Sequence, residues 1–237
     1  MEWSGYGASD WLGPIFSFRS SAVDWNGCEL RSPVNQMAEL QQHELSCLTI
    51  GHSNHAWERF LELLQQNNVE VVAEVRSYPY SNYSPQFDRE AMKDALGKIG
   101  VKYVDLGKEL GGRPDGSEFY DRDGHVLYDK VAGTERFVEG IRRLEDGMNK
   151  YRVAMLCSEE DPAVCHRALL VGRVLRERGA RVEHIRGDGR IQSDGEIFSA
   201  NDLEEKQGKL FDIAEAPAWK SIPSVSRKKR LNNSSPF

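Results

Sequence analysis

Cysteine and long apolar runs are both scarce in this sequence. Four cysteines, Cys28, Cys47, Cys157 and Cys165, occur among 237 residues, too few for the disulfide framework of a small secreted domain. No stretch approaches the ~18 consecutive apolar residues that would span a membrane. The first residues lack the basic region and apolar core of a secretory signal. These absences predict a cytoplasmic protein with reduced thiols and no membrane partner.

An excess of positive charge is also missing. The formal net charge is −6, which argues against a uniformly basic nucleic-acid-binding protein but leaves room for a local basic groove. A short basic run, Arg227–Arg230, either contacts phosphate or is solvated. Apolar residues make up 39% and charged residues 29% of the chain, as in ordinary soluble proteins.

Hydrophobic periodicity divides the chain into three parts. Residues 1–44 are rich in Gly, Ser and Asn and predict an irregular extension. Residues 45–199 predict an α/β domain, and residues 200–237 predict a tail with a basic end. Within the domain, apolar runs predict strands at 46–51, 69–75, 101–106, 152–157 and 181–185. A helical pattern begins near Trp57, where Ser53 or Asn54 could cap the first turn, and others cover 88–100, 134–149 and 162–178, the last with Gly179 as its stop. Residues 107–130 are predicted as a loop.

This alternation predicts a mostly parallel sheet of five or slightly more strands, with helices on both faces, in a Rossmann-like arrangement. In such sheets, ligands bind beyond the carboxyl ends of the strands. The residues that follow the predicted strands there are His52, Ser53, Arg76, Gly111, Gly112, Cys157, Glu159 and Asp188. We therefore expect them to share one edge. Tyr80, in the loop after the second strand, either stacks a base or packs locally.

The segment after the fourth strand contains the densest set of reactive side chains. Asp161 followed by Pro162 indicates a helix start, which would place Cys165 in the first helical turn. The positive field of a helix amino end, together with His166 and Arg167, would favour the thiolate of Cys165.

Several interpretations of this segment remain open. Cys157 or Cys165 could be a nucleophile, with His166 or His52 as base. The two thiols, a histidine and Glu159 could bind a metal, although metal-binding pairs more often show two to four intervening residues.

Two further interpretations involve the arginines. Arg76 and Arg167 could hold a phosphate, supported by helix amides. Alternatively, the cysteines are buried core residues, and His166 and Arg167 brace the helix.

Five stretches in order, TIGHSNHAWERFLELL, VAEVRSYPYSNYSPQF, VDLGKELGG, MLCSEEDPAVCHR and VEHIRGDG, resemble the bacterial domain-of-unknown-function family numbered 488 over residues 47–190. The resemblance implies a shared fold and site without supplying a reaction. Its pattern falls on Gly51, His52, Ser53, Arg76, Pro79, Leu106, Gly107, Gly111, Gly112, Cys157, Glu159, Asp161, Pro162, Cys165, His166 and Arg167. The chain departs from it at Ser158, where Ala is common, and at Glu74, where Asp is more typical.

We therefore expect a thiol- or histidine-assisted transferase or hydrolase that acts on a phosphate-bearing substrate, a nucleotide or nucleic acid. The expected catalytic residues are Cys157, Cys165, His166, His52 and Glu159. The expected substrate-binding residues are Arg76, Arg167, Ser53, Tyr80, Gly111, Gly112 and Asp188. The sequence requires no cofactor. The alternatives are a non-catalytic nucleotide or nucleic-acid binding module and a protein with a small structural metal site.

Overall fold

A computed structural model describes residues 45–198 and 219–222. The predicted extension at 1–44, most of the predicted tail and the basic run Arg227–Arg230 lie outside the described residues.

A six-stranded sheet forms the centre of the domain, in the order β3-β2-β4-β1-β5-β6. All neighbouring pairs are parallel except β5 and β6, which are antiparallel. The strands are β1 Ser46–Gly51, β2 Val71–Glu74, β3 Lys102–Asp105, β4 Val153–Cys157, β5 Arg181–Ile185 and β6 Ile191–Ser193. The five predicted strands are confirmed. The sequence analysis missed β6, because three residues after a Gly-containing turn give too short a pattern to detect.

Helices cover both faces of the sheet, because alternate strand residues point to opposite sides. One face packs Leu48, Val72 and Leu156 against α1 and α2. The other packs Ala73 and Met155 against α5 and α6. The helices are α1 Trp57–Gln66, α2 Arg89–Lys98, α3 Gly107–Leu110, α4 Tyr128–Ala132, α5 Glu135–Met148 and α6 Arg173–Glu177. None of the helices in the described ranges is both long and apolar enough to cross a membrane.

The region predicted as one helix over 162–178 is divided in the structure, and that prediction is wrong. A 3₁₀ turn covers Pro162–Val164, a π-helical turn covers Arg167–Gly172, and α6 follows. Cys165 lies between the two turns with extended backbone, φ −115° and ψ 139°. Asp161 does cap the first turn by accepting a hydrogen bond from Ala163 N. The Cys165 carbonyl accepts from the amides of Ala168 and Leu169, so Cys165 directly precedes the helical segment and does not lie in its first turn.

Two other local predictions are corrected by the structure. The segment 107–130 was predicted as loop but contains α3 and α4. Ser53 and Asn54 were predicted to cap α1, whose cap is Ala56, with no side-chain hydrogen bond. Ser53 instead has a positive φ of 44° and its amide donates to Ser158 O at 2.9 Å. That bond ties the end of β1 to the loop after β4.

Candidate active site at the carboxyl edge of the sheet

Four side chains converge just beyond the end of β4, and we call Cys157, Glu159, Cys165 and His166 the thiol cluster. Glu159 Oε2 lies 2.9 Å from Cys157 Sγ and 3.2 Å from Cys165 Sγ. His166 Nδ1 lies 3.6 Å from Cys157 Sγ and 3.9 Å from Cys165 Sγ. Both thiols and the imidazole are buried. The convergence that the sequence analysis expected for these four residues is present.

The orientation of His166 is fixed from two sides. Its Nε2 donates to the carbonyl of Val75 at 2.8 Å, so Nδ1 is left facing the sulfurs. Gly112 lies flat against the ring, since a Cβ atom there would come 2.5 Å from His166 Cγ. The glycine predicted as a substrate contact therefore also allows the close approach that positions the imidazole.

Arg167 holds the loop between Cys157 and Cys165 in place. Its side chain is fully buried. The guanidinium donates to the carbonyls of Glu159 and Glu160 and to Thr49 Oγ1. Thr49 in turn contacts His184, whose other ring nitrogen contacts Asp194 at 2.9 Å. The expectation that Arg167 holds substrate is therefore corrected: its donors face backbone carbonyls inside the protein.

Arg76 forms the second buried arginine network. It binds Glu74 through Nε at 2.9 Å and Nη2 at 2.6 Å, and it donates to Phe87 O. Its Nη1 donates to His52 Nε2 at 2.9 Å. Glu74 also accepts from Tyr103 at 2.9 Å. The glutamate that departs from the family pattern is therefore fully engaged with the arginine two residues on.

His52 does not fit the expected role of proton acceptor. Its Nδ1 donates to Ser53 O at 2.9 Å, and its Nε2 lone pair is occupied by Arg76. Burial, followed by the positive charge of Arg76, lowers the pKa of His52 to about 4. The ring is therefore neutral near pH 7 and holds Arg76 in place.

The ionisation of one thiol depends on that of the other. Burial and the hydrogen bond to Cys165 raise the pKa of Cys157 well above its ordinary value. Burial also opposes ionisation of Cys165, but the hydrogen bond from Cys157 and the charges of Arg167 and His166 outweigh it and lower its pKa. The first proton therefore leaves the pair with the negative charge on Cys165. The sequence analysis expected this direction, and Cys165 directly precedes the helical segment whose first amides bond its carbonyl.

A cavity of about 70 Å³ opens directly onto the thiol cluster. Its lining includes Cys157, Glu159, His166, Arg76 and Arg113. A larger cavity of about 760 Å³ shares Ser77, Tyr78 and Arg113 with the first. The cluster thus lies beside a space large enough for a small-molecule ligand.

The remaining predicted residues lie around this region without lining the smaller cavity. Gly111 lines the larger cavity and packs closely on Ser77. Tyr80 is half exposed and donates to Glu90. Asp188 is paired with Arg190 and lines neither cavity. Ser53 contributes the backbone bond to Ser158 described above.

Sequence reasoning missed two residues of this site. Arg113 is exposed, lines both cavities and forms no ion pair with any residue of 45–198 or 219–222. A cation directly after Gly111–Gly112 was a usable signal. Tyr128 is fully buried, and its hydroxyl has no hydrogen-bond partner among the described residues. It was assigned to a loop, and no local pattern pointed to it.

A family model with the description Domain of unknown function DUF488 matches residues 56–174. The matched span contains Arg76, Gly112 and the whole thiol cluster, whereas His52 and Asp188 lie outside it. No curated protein and no solved structure matches the chain.

Proposed function

The chain belongs to the family of the Domain of unknown function DUF488, and we propose that it is an enzyme acting on a phosphate-bearing substrate, a nucleotide or nucleic acid. One observation carries the proposal. Two thiols, an imidazole and a carboxylate meet beside a cavity, and the same cavity is lined by Arg113, which forms no ion pair within the part of the chain that the structure describes. Reactive groups next to an anion-binding side chain are the minimum for phosphate-directed chemistry.

The larger cavity supports a ligand with both anionic and hydrogen-bond-donating parts. Three cations, Lys108, Arg113 and Arg136, line it, together with the carboxylates Glu109, Asp115 and Glu118. A guanidinium matches a phosphate with paired hydrogen bonds, and carboxylates accept from sugar hydroxyls and base amino groups. Arg76 lines the smaller cavity and uses four side-chain hydrogen bonds internally. A guanidinium has five donors, so one remains for a substrate oxygen.

The smaller cavity is lined by the reactive groups of the proposed enzyme. Cys157 and His166 line it, whereas Cys165 does not. Transfer or hydrolysis assisted by a thiol or by His166 is the reaction class that these groups suit. In this proposal Glu159 orients the cluster, and His52 and Arg167 position the surrounding backbone and Arg76.

The proposal extends to the type of fold and the location. β4 lies between β1 and β2, so the site occupies the crevice beyond their carboxyl ends, a Rossmann-like use of the sheet. The three cysteines in the described ranges are free thiols, which suits the reducing cytoplasm.

The test is a binding and turnover survey of the whole protein with nucleoside mono-, di- and triphosphates, short oligonucleotides and simple phosphoesters. Arg113→Ala should weaken binding of the best ligand by about 10-fold or more, because a charge-assisted hydrogen bond contributes about 1.5–3 kcal/mol. Arg142→Ala is the matched control, since Arg142 is exposed on α5 and lines neither cavity.

Cys157→Ala and His166→Ala should abolish turnover. Binding in the Cys157→Ala variant should persist, since the thiol is not the anion-binding group. If compounds bind but none is turned over, the result would favour the alternative function, a non-catalytic binding module. No binding of any phosphate compound, or equal effects of the Arg113 and Arg142 substitutions, would overturn the proposed substrate class.

A further inference from the structure

We infer that the thiol cluster is a binding site for a divalent transition-metal ion, with Zn²⁺ as the ion its donors suit. The inference concerns the cluster of the proposed function but does not depend on the proposed substrate. Donor atoms of Cys157, Cys165 and His166 all lie within 4.8 Å of one another. Two sulfurs and one imidazole nitrogen, with a carboxylate beside them, form a donor set typical of zinc.

The donor spacing matches a tetrahedral site. With Zn–S of about 2.3 Å and Zn–N of about 2.0–2.1 Å, a tetrahedron has S···N edges of about 3.6 Å. The observed separations of His166 Nδ1 from the sulfurs of Cys157 and Cys165 are 3.6 and 3.9 Å. An ion at the centre of this group would therefore meet its ligands with little rearrangement.

The histidine is already arranged as a ligand. Metal-bound imidazoles usually donate their other ring N–H to a carbonyl or carboxylate, which fixes the tautomer. His166 Nε2 makes this bond to Val75 O at 2.8 Å, and Gly112 packs against the ring. Nδ1 therefore faces the sulfurs and is the nitrogen that would bind the metal.

Glu159 lies beside the three donors and leaves the fourth coordination position open. Its Oε2 is the atom that contacts both sulfurs, at 2.9 and 3.2 Å. Arg167 holds the Glu159 carbonyl, so the backbone that carries this carboxylate is fixed. Three acidic groups packed this closely in a buried site repel one another once ionised, and a divalent cation among them removes that repulsion.

The Tyr128 hydroxyl is an independent observation at the same place. This side chain is fully buried, and its hydroxyl oxygen has no hydrogen-bond partner in the described ranges. Tyr128 packs in the same buried cluster of side chains as Cys157 and Cys165. An unpartnered buried donor costs about 1–3 kcal/mol. A metal-bound water or anion would satisfy it.

The cavity beside the cluster distinguishes this site from a closed structural one. Cys157, Glu159 and His166 all line it, so one coordination position faces open space. Catalytic zinc sites keep such an exchangeable position, whereas structural sites are enclosed by four protein ligands. The inferred metal therefore belongs to the reactive part of the protein.

The first experiment measures zinc binding to the whole protein, purified without a histidine tag and dialysed against buffered Zn²⁺. Wild type should bind one zinc per chain. Cys157→Ala, Cys165→Ala and His166→Ala should each weaken zinc binding by more than about 100-fold, since loss of a group that merely supports a ligand costs about 10–100-fold. Glu159→Gln should show a smaller loss. Cys47→Ala is the matched control, because Cys47 is a buried free thiol outside the cluster, and its zinc affinity should be unchanged.

A second experiment uses only wild-type protein and covers the case in which a ligand variant does not fold. Stepwise modification of thiols with a mercurial should release the bound zinc as two cysteines react, and Co²⁺ loading should give the absorption bands of thiolate-ligated tetrahedral cobalt. Wild type that takes up no stoichiometric zinc, or zinc that stays bound after both thiols are modified, would overturn the metal site. Zinc-loaded protein that binds no phosphate compound would refute only the proposed function. Phosphate turnover by protein that binds no metal would refute only this inference.

Discussion

At the scale of single residues, buried polar side chains around the sheet edge are held by several partners each. Arg76 is the clearest case, since Glu74, His52 and Phe87 all accept its hydrogen bonds. His52 accepts through a lone pair that exists only in the neutral ring. Protonation of His52 would therefore break its bond to Arg76 and place two positive charges together.

This network predicts a pH dependence of stability. The folded pKa of His52, about 4, lies below its ordinary value of 6.5, so the unfolded chain binds the proton more readily. The stabilisation is complete above about pH 6.5 and is lost as the pH falls toward 4, at up to about 1.4 kcal/mol per pH unit. His52→Gln, which keeps an acceptor for Arg76, should flatten the slope of unfolding free energy between pH 7 and 5. The measurement is urea unfolding at several pH values, and equal slopes in the two proteins would contradict this account.

Gly51 is predicted to be intolerant of a side chain. A Cβ atom there would lie 1.9 Å from the Glu159 carbonyl oxygen, which is backbone and cannot move aside cheaply. Gly51→Ala should therefore destabilise the protein by about 2–3 kcal/mol or more and displace the loop that carries Glu159. Gly97→Ala is the matched control, because nothing lies within 4 Å of that Cβ position in helix α2.

In contrast to Gly51→Ala, the control should raise stability by about 0.5–1 kcal/mol, the ordinary helical advantage of Ala over Gly. The measurement is the free energy of unfolding of both variants in urea. Similar small effects for the two glycines would show that the contact of Gly51 with the loop is not tight.

At the scale of elements, the segment 162–178 shows where sequence reasoning fails. Asp161 and Pro162 gave a correct start signal, and Gly179 a correct stop. Between them the chain uses a 3₁₀ turn, an extended residue and a π-helical turn. Their cause is tertiary, because Cys165 joins the thiol cluster and Arg167 reaches the carbonyls of Glu159 and Glu160. Local propensity contains no information on those contacts. Irregular turns of this kind are often found at functional sites.

Arg167 is predicted to be irreplaceable even by lysine. Its fork holds two carbonyls and the Thr49 hydroxyl, and one ammonium group cannot reproduce that geometry. Arg167→Lys should cost about 2–4 kcal/mol, since it leaves buried polar groups without partners. Arg178→Lys, in the half-exposed pair with Glu145, should change stability by less than about 1 kcal/mol. Equal unfolding midpoints for the two variants in urea would contradict the bracing role.

At the scale of the whole molecule, residues 219–222 contact parts of the domain that are distant from them in sequence. Trp219 Nε1 donates to Leu169 O at 2.8 Å. Its ring lies 6.0 Å from the Tyr128 ring, and Arg173 stacks on it. Ser221 bonds Val126. The segment therefore packs against the helix that carries Tyr128 and against Arg173 of α6.

Trp219→Ala should therefore lower the unfolding free energy by about 2–4 kcal/mol, through lost burial and a lost hydrogen bond. It should also increase the rate at which a thiol reagent labels Cys157, because Tyr128 loses its support. Tyr83→Ala is the control, since Tyr83 is 96% exposed, and its stability should change by no more than about 0.5 kcal/mol. Unchanged stability and labelling in Trp219→Ala would show that the segment does not contribute to the domain.

Much of the fold and part of the site were predictable from the sequence. β-Branched apolar runs gave the five long strands, and the carboxyl-edge rule brought Arg76, Gly112, Cys157 and Glu159 to one edge. The roles of Arg167 and His52 were not predictable. The sequence gives the residue type but not whether its hydrogen-bond donors face a ligand or a buried carbonyl. Tyr128 was missed because its importance depends on a contact across the fold.

The proposed function requires that the cavity beside the thiol cluster receives a phosphate-bearing substrate. The most direct measurement is a crystal structure of the zinc-treated protein grown with a saturating nucleoside monophosphate, with data collected at the zinc absorption edge. We expect the phosphate within hydrogen-bonding distance of the Arg113 guanidinium, the nucleoside in the larger cavity, and the metal peak among Cys157, Cys165 and His166. A nucleotide bound elsewhere, or a cavity without nucleotide at saturation, would contradict the claim.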